Sequence, residues 1–169
     1  SWGAKVVGDP THHAINMQAS ADYIEIDGFE VTGDLDGFKV EGANCAVKNC
    51  WIHDTGTQGI MINSAAVGSE CRGNTIERCG TTNLHHAIYI EADSAKIHSN
   101  IMQDGFGYGL HFYLSGVGVY GGDVYQNSCS GFAKSPFYVQ GPIAGGDSGF
   151  KIRNNSFTQG YGVGAPVLH

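Results

Sequence analysis

Proline is scarce, with 4 in 169 residues, and charge is thin, with 15% Asp, Glu, Lys and Arg. Basic residues are the rarer sign: 9 Lys and Arg stand against 16 Asp and Glu, a net charge of −7. That balance argues against generic binding to nucleic acid or to an anionic membrane. No apolar run approaches the roughly 18 residues that span a bilayer. The opening "SWGAKVVGDP" lacks the basic start and apolar stretch of a signal peptide, as a processed chain or a fragment also would. Helical periodicity is missing throughout. There is no G-x-S-x-G nucleophile motif and no phosphate-cradling Gly loop before a helix. The five cysteines (Cys45, Cys50, Cys71, Cys79 and Cys129) are odd in number and match no zinc spacing. They read as small buried apolar residues.

What is abundant is glycine, 26 residues of it, in a chain whose 41% apolar content suffices for one core. Many turns between short ordered runs follow from that mixture. One pattern recurs as "IDGFEV" at 26–31, "VKNCWI" at 47–52, "CRGNTI" at 71–76, "IHSNIM" at 97–102, "VYQNSC" at 124–129 and "IRNNSF" at 152–157. The intervals are 21, 24, 26, 27 and 28 residues. A second pattern, a small residue followed by apolar, variable and apolar, lies between these. It reads "AINM" at 14–17, "GFKV" at 37–40, "GIMI" at 59–62, "AIYI" at 87–90, "GLHF" at 109–112 and "PFYV" at 136–139, with "GVGA" at 162–165 a weak last copy.

Strict alternation over short runs is a strand signal. A period this short cannot close its own core, so stacked periods must share one. The Asn column (Asn74, Asn100, Asn127, Asn155) suits a turn position with left-handed geometry, and stacked Asn side chains can bond from coil to coil. An antiparallel β-sandwich competes, but it wants tight turns every 8–12 residues or so.

With its "ADYIEIDGFEVTG" at 21–33, its Asn ladder and its coil length, the chain resembles the right-handed parallel β-helix superfamily, the pectin-lyase-like proteins. The resemblance covers nearly the whole chain. It implies an all-β fold: one single-stranded right-handed parallel β-helix, a solenoid of about seven coils of 21–28 residues over 1–169, or a piece of a longer one. The superfamily hosts lyases, hydrolases, epimerases and binding modules, so fold alone names no activity. Such solenoids cap their open core with a helix or loop. Neither terminus reads as a helix, which leaves end-to-end stacking or a loop such as "GPIAGGDSG" at 141–149 as cover.

Coils stack about 4.8 Å apart, so equivalent residues become neighbours. Ile15 and Met17, Phe38 and Val40, Ile60 and Ile62, Ile88 and Ile90, Leu110 and Phe112, and Phe137 and Val139 point inward. Outward columns are Asn16, Lys39, Met61, Tyr89, His111, Tyr138; then Gln18, Glu41, Asn63, Glu91, Tyr113, Gln140; and, at the strand entrance, His13, Asp36, Gln58, His86, Tyr108, Ser135. This face concentrates aromatic and imidazole groups, which suit sugar rings through stacking and hydrogen bonding together. Aromatic neighbours also stabilise stacked strands with no ligand at all.

Other stretches carry plainer readings. Glu70, Lys96, Asp123 and Lys151 form a column of alternating sign, a salt-bridge ladder of small worth. Asp27, Lys48, Arg72, His98, Tyr125 and Arg153 form a basic stripe able to steer a polyanion, or a solvated face. Asp34 and Asp36 in "GDLDG" offer oxygen ligands for calcium or an Asx turn. His53 and Asp54 sit at a turn and read as structural.

For chemistry, the favoured expectation is β-elimination on a uronic-acid-containing polysaccharide. His111 is the candidate base, with a pKa near working pH, and Tyr89 the acid, with a depressed one. His86 supports either. Lys39, or a calcium ion as cofactor, meets the carboxylate. Glu91, Tyr108, Tyr113, Tyr138 and Gln140 are candidate substrate contacts, and no residue is assigned as a metal ligand. The superfamily's lyases more often use Lys or Arg as base, and this face has few. Hydrolysis needs two carboxylates, and Glu41 and Glu91 lie roughly 9–10 Å apart by stacking. A non-catalytic glycan-binding or structural module, adhesin- or spike-like, is the other class. The expected partner is a glycan, with no nucleic acid or membrane, and the expected location is secreted or cell-surface.

Overall fold

The computed structural model describes residues 3–113, 121–140 and 149–158. Its strands are two to six residues long and go in turn to the first, second and third of three sheets. Every pairing is parallel and joins strands one circuit apart. The first sheet holds 7 strands and the other two hold 6 each. The described residues therefore form an all-β parallel solenoid of six full turns and the first strand of a seventh. The weak copy at 162–165 and residues 141–148 of the expected covering loop lie outside the described residues.

The first sequence pattern spans a corner. Its front half is a strand of the third sheet, such as Lys96–His98, and its back half one of the first sheet, such as Ile101–Gln103. The second pattern is the second sheet. Its inward residues Met17, Phe38, Val40, Ile60, Ile62, Ile88, Ile90, Leu110 and Phe112 are at most 3% exposed. All five cysteines are reduced and buried in the same core. Burial pushes the thiols of Cys71, Cys79 and Cys129 up, which leaves them inert as nucleophiles.

The corner corrects one expectation. The ladder asparagines do not take the left-handed conformation; the residue before each does. Gly73, Ser99, Gln126 and Asn154 have φ of +67°, +57°, +56° and +55°. That residue turns the chain, and the next one points its side chain into the solenoid. There Asn100 Oδ1 accepts from the N–H and the Nδ2 of Asn74, both at 3.0 Å. Asn127 does the same for Asn100, and Asn155 for Asn127. The ladder ends where Asn74 Oδ1 accepts the Cys50 N–H at 2.9 Å.

The small residue opening the second pattern has a packing cause. A Cβ on Gly37 would lie 2.7 Å from the Gly59 carbonyl oxygen, and one on Gly59 2.6 Å from that of Ala87. At Gly109 a Cβ would meet the Pro136 oxygen at 2.6 Å and press on Cys129 Sγ. Gly109→Ala is expected to cost about 1–3 kcal/mol in urea unfolding through overpacking. An unchanged midpoint would mean the coils separate freely.

Candidate functional site

The outward column of the second sheet runs in the expected register: Asn16, Lys39, Met61, Tyr89, His111, Tyr138. A groove of about 490 Å³ opens on it, lined by His86, Tyr89, Glu91, His111, Tyr113 and Gln140. Gln58, Met61 and Leu84 complete the lining. That volume suits a small ligand or a sugar unit or two.

The strand entrance carries a second ladder, built from unlike side chains. Asp36 Oδ1 accepts the Gln58 N–H at 2.9 Å. Gln58 Oε1 accepts the His86 N–H at 2.5 Å. His86 Nδ1 accepts the Tyr108 N–H at 3.0 Å. Each acceptor belongs to the earlier coil, the reverse of the Asn ladder.

This ladder decides two tautomers. A backbone N–H only donates, so His86 Nδ1 must hold a lone pair and its proton sits on Nε2. His86 Nε2 lies 3.0 Å from His111 Nδ1, so it donates there. His111 in turn carries its proton on Nε2. That nitrogen is buried without a hydrogen-bond partner among the described residues, in a side chain 5% exposed. Gln140 is the neighbouring side chain that acts on this ring.

Charge follows the same logic. Burial holds the His86 imidazole down at about 3, with His111, Lys134 and His85 pushing the same way. Burial brings His111 to about 4; Gln140 opposes the shift and Lys134 adds to it. Burial pushes the Tyr89 phenol well above its usual value, and the Glu91 carboxylate and Tyr113 add to that. The structure thus reverses both premises of the expected acid–base pair. His111 lies far below working pH and presents an N–H rather than a lone pair, and Tyr89 is raised, not depressed. The cause is desolvation, which disfavours the charged form of each group.

The other expected contacts divide. Tyr113 stacks on Tyr89 at 5.9 Å, with ring planes 25° apart. Tyr108 and Tyr138 do not line the groove. They stack on each other at 4.4 Å and back the His111 ring at 4.9 and 5.2 Å. Lys39 shares the face but sits two coils from Tyr89 and is tied to Glu41 at 3.1 Å.

One comparison decides the family. The sequence model of the right-handed β-helix region family matches residues 7–157. The chain belongs to this family. No curated protein and no solved structure matches it.

Elsewhere on the β-helix, several of the other candidates have structural partners. Asp36 is taken by the Thr57 hydroxyl, the Gln58 N–H and His13 Nδ1. Among the described residues no group of three or more His, Cys, Asp or Glu is placed to hold a metal. His53 stacks on Trp51 at 3.9 Å and meets Asp54 at 2.6 Å, while Asp54 takes a two-pronged bond from Arg78. The alternating column Glu70, Lys96, Asp123, Lys151 holds its register, yet its acids pair sideways, Glu70 with His98 and Asp123 with Arg153. The same pairings, with Lys48 on Glu25, neutralise much of the basic stripe.

Three lining residues escaped the sequence-based assignment. Gln58 and Met61 stood in the right columns and lacked only an unusual side chain to flag them. Leu84 belongs to an irregular excursion between Thr75–Glu77 and Ile88–Ile90, where no repeat position exists to read. Gln58 Nε2 reaches the Leu84 carbonyl at 3.4 Å and ties that excursion to the groove.

Proposed function

We propose that this β-helix protein is carbohydrate-active, and that its groove binds a glycan and carries out β-elimination at a uronic acid residue. The observation that carries the reading is the unpaired Nε2–H of His111, buried at a groove flanked by Tyr89, Glu91 and Tyr113. A buried donor left without a partner is costly, and an incoming oxygen relieves that cost. His111 then donates to the substrate's carboxyl oxygen, where negative charge builds as the adjacent proton leaves. Glu91 takes that proton, the C–H electrons form the double bond, and the bond to the leaving glycosidic oxygen breaks. Tyr89 protonates that oxygen, and the proton on Glu91 passes to Tyr89, which restores both groups. Hydrolysis is less well supported, because Glu41 is held by Lys39 and, among the described residues, Glu91 is the one carboxylate in the lining. A secreted or cell-surface location suits a polymeric substrate.

The test is ultraviolet absorbance of the new double bond on a panel of uronate polymers, with and without calcium. Glu91→Gln is expected to slow the wild-type rate at least 100-fold. His111→Ala is expected to slow it at least tenfold. Product formed at wild-type rate by Glu91→Gln would remove this mechanism. A second reading, a non-catalytic glycan-binding module, is favoured by the stacked Tyr89 and Tyr113 and by the raised Tyr89 phenol. Glycan binding with no new absorbance on any polymer would select it.

A further inference from the structure

We infer that the outward face of the third sheet is a docking surface for a linear anionic polysaccharide lying along the solenoid axis. This face is separate from the groove, and the inference stands whether or not the groove performs chemistry.

The scarce sign of charge is unevenly distributed. Five of the nine Lys and Arg residues, Lys48, Arg72, Lys96, Lys151 and Arg153, stand in the two outward columns of this one sheet. In the early coils the cation is engaged: Lys48 is held by Glu25, with Asp27 3.9 Å away. From Glu70 onward four cations meet two carboxylates, and both carboxylates already have partners. Glu70 takes His98 at 2.8 Å and Arg72 at 3.6 Å. Asp123 takes Arg153 at 2.9 Å, and its other oxygen, Oδ1, is buried. That leaves Lys96 and Lys151, both exposed and without an ion pair among the described residues. In a chain of net charge −7 they are a local excess of the rarer sign. The Debye length at physiological salt is about 8 Å, so the acidic remainder of the molecule does not cancel them for a ligand in contact. Their complement is an anion.

Spacing gives the shape of that ligand. Lys96 and Lys151 occupy equivalent positions two coils apart, with Asp123 between them. The stacking distance puts them roughly 10 Å apart along the axis. A pyranose unit in a linear polymer is about as long as one coil is tall, roughly 4.8 Å. A sugar chain with a negative group on each or on alternate units therefore brings an anion to both lysines.

The neighbouring column selects a glycan over a nucleic acid. The Tyr125 ring lies between His98 and Arg153. The imidazole is 4.4 Å away with planes 6° apart, and the guanidinium carbon is 4.0 Å from the ring centre. Both faces of the ring are covered, so no base can stack on it, and stacking is what holds single-stranded nucleic acid. The column offers ring edges and the half-exposed Arg153 guanidinium, which suit the hydroxyls and charges of a sugar chain.

Fluorescence anisotropy with labelled polymers tests this, using sulfated dextran, polygalacturonate, uncharged dextran and oligothymidylate. At least one charged glycan is expected to bind at low salt and uncharged dextran is not; the glycan that responds identifies the anion as sulfate or carboxylate. Binding should weaken about tenfold between 50 and 200 mM salt, as two or three ionic contacts require. The Lys96→Gln, Lys151→Gln double variant, altered at exposed positions, should bind at least tenfold more weakly with its urea unfolding unchanged. His111→Ala, in the groove, should bind as wild type does. Undiminished binding by the lysine variant, with loss in His111→Ala, would move the contact to the groove; it would overturn the inference and leave the groove reading standing. Tighter binding of oligothymidylate than of either charged glycan, or binding of neither charged glycan at low salt, would also overturn it.

Discussion

Asn100→Ala is expected to lower the unfolding free energy by about 3–5 kcal/mol. Asn100 is 1% exposed and sits in the middle of the ladder. Its Oδ1 serves two donors of Asn74, and its Nδ2 serves the Cys71 carbonyl at 2.9 Å and Asn127 Oδ1 at 3.0 Å. Alanine removes all four bonds at once. The Asn74 N–H is left facing a void too dry to hydrate it, and a buried donor without a partner costs about 1–3 kcal/mol. The lost side-chain volume adds a cavity term. For a chain of this length that loss corresponds to a fall in Tm of roughly 6–20 °C. Urea unfolding of the variant against wild type measures it. A loss below about 1 kcal/mol would show that water or a repacked corner replaces the ladder, and that the Asn column does not hold the coils together. Asn154→Ala is the useful contrast. That residue is exposed at the left-handed position, φ +55°, so its replacement costs only backbone preference, about 1 kcal/mol.

Acidification from pH 6.5 to 4.5 is expected to destabilise the protein through His86 and His111. Their imidazoles titrate at about 3 and 4 in the folded chain, against 6.5 for the ordinary side chain. As pH falls below 6.5 the unfolded chain takes up protons that the folded chain refuses, so stability declines. The contribution is full above 6.5 and is lost as pH approaches the folded values. Each histidine contributes a slope of up to about 1.4 kcal/mol per pH unit. Discounted for their position on a groove open to water, the pair should cost about 2–3 kcal/mol by pH 5. The carboxylates held low, Asp54 by Arg78 and Glu30 by Lys5, add their own losses only below their ordinary values of 3.8 and 4.5. The window above 4.5 therefore reports mainly on the histidines. Unfolding at pH 7 and pH 5 should show the decline in wild type and a flatter response in the His86→Gln, His111→Gln double variant. An equally steep fall in both would mean that the pair accepts protons while folded.

How far the site was legible varies residue by residue. Tyr89 beside His111, and His86 beside Tyr108, follow from period and alternation, because parallel stacking converts a sequence interval into a neighbour. The inward run from Met17 to Phe112 follows for the same reason, since side chains in a strand alternate between faces. Asn74, Asn100 and Asn127 were recognisable as a column, but whether they or their predecessors make the left-handed turn depends on two adjacent dihedrals that composition does not distinguish.

The sequence by itself determined the architecture: two or three short parallel strands per period, one shared core, and which side chains share an outer face; the structure set the number at three. Repetition made this possible, because each coil states the same pattern again. Tertiary structure alone decided the chemistry of that face. Whether His111 is a base or a donor depends on a backbone N–H three residues before it, which reaches it through a histidine one coil below. Whether Tyr89 is a strong or weak acid depends on burial beside Glu91, and whether Lys39 is available depends on its bond to Glu41. Hydrogen-bond direction, desolvation and pairing act over a few ångströms between coils, and the order of residues along the chain does not record them.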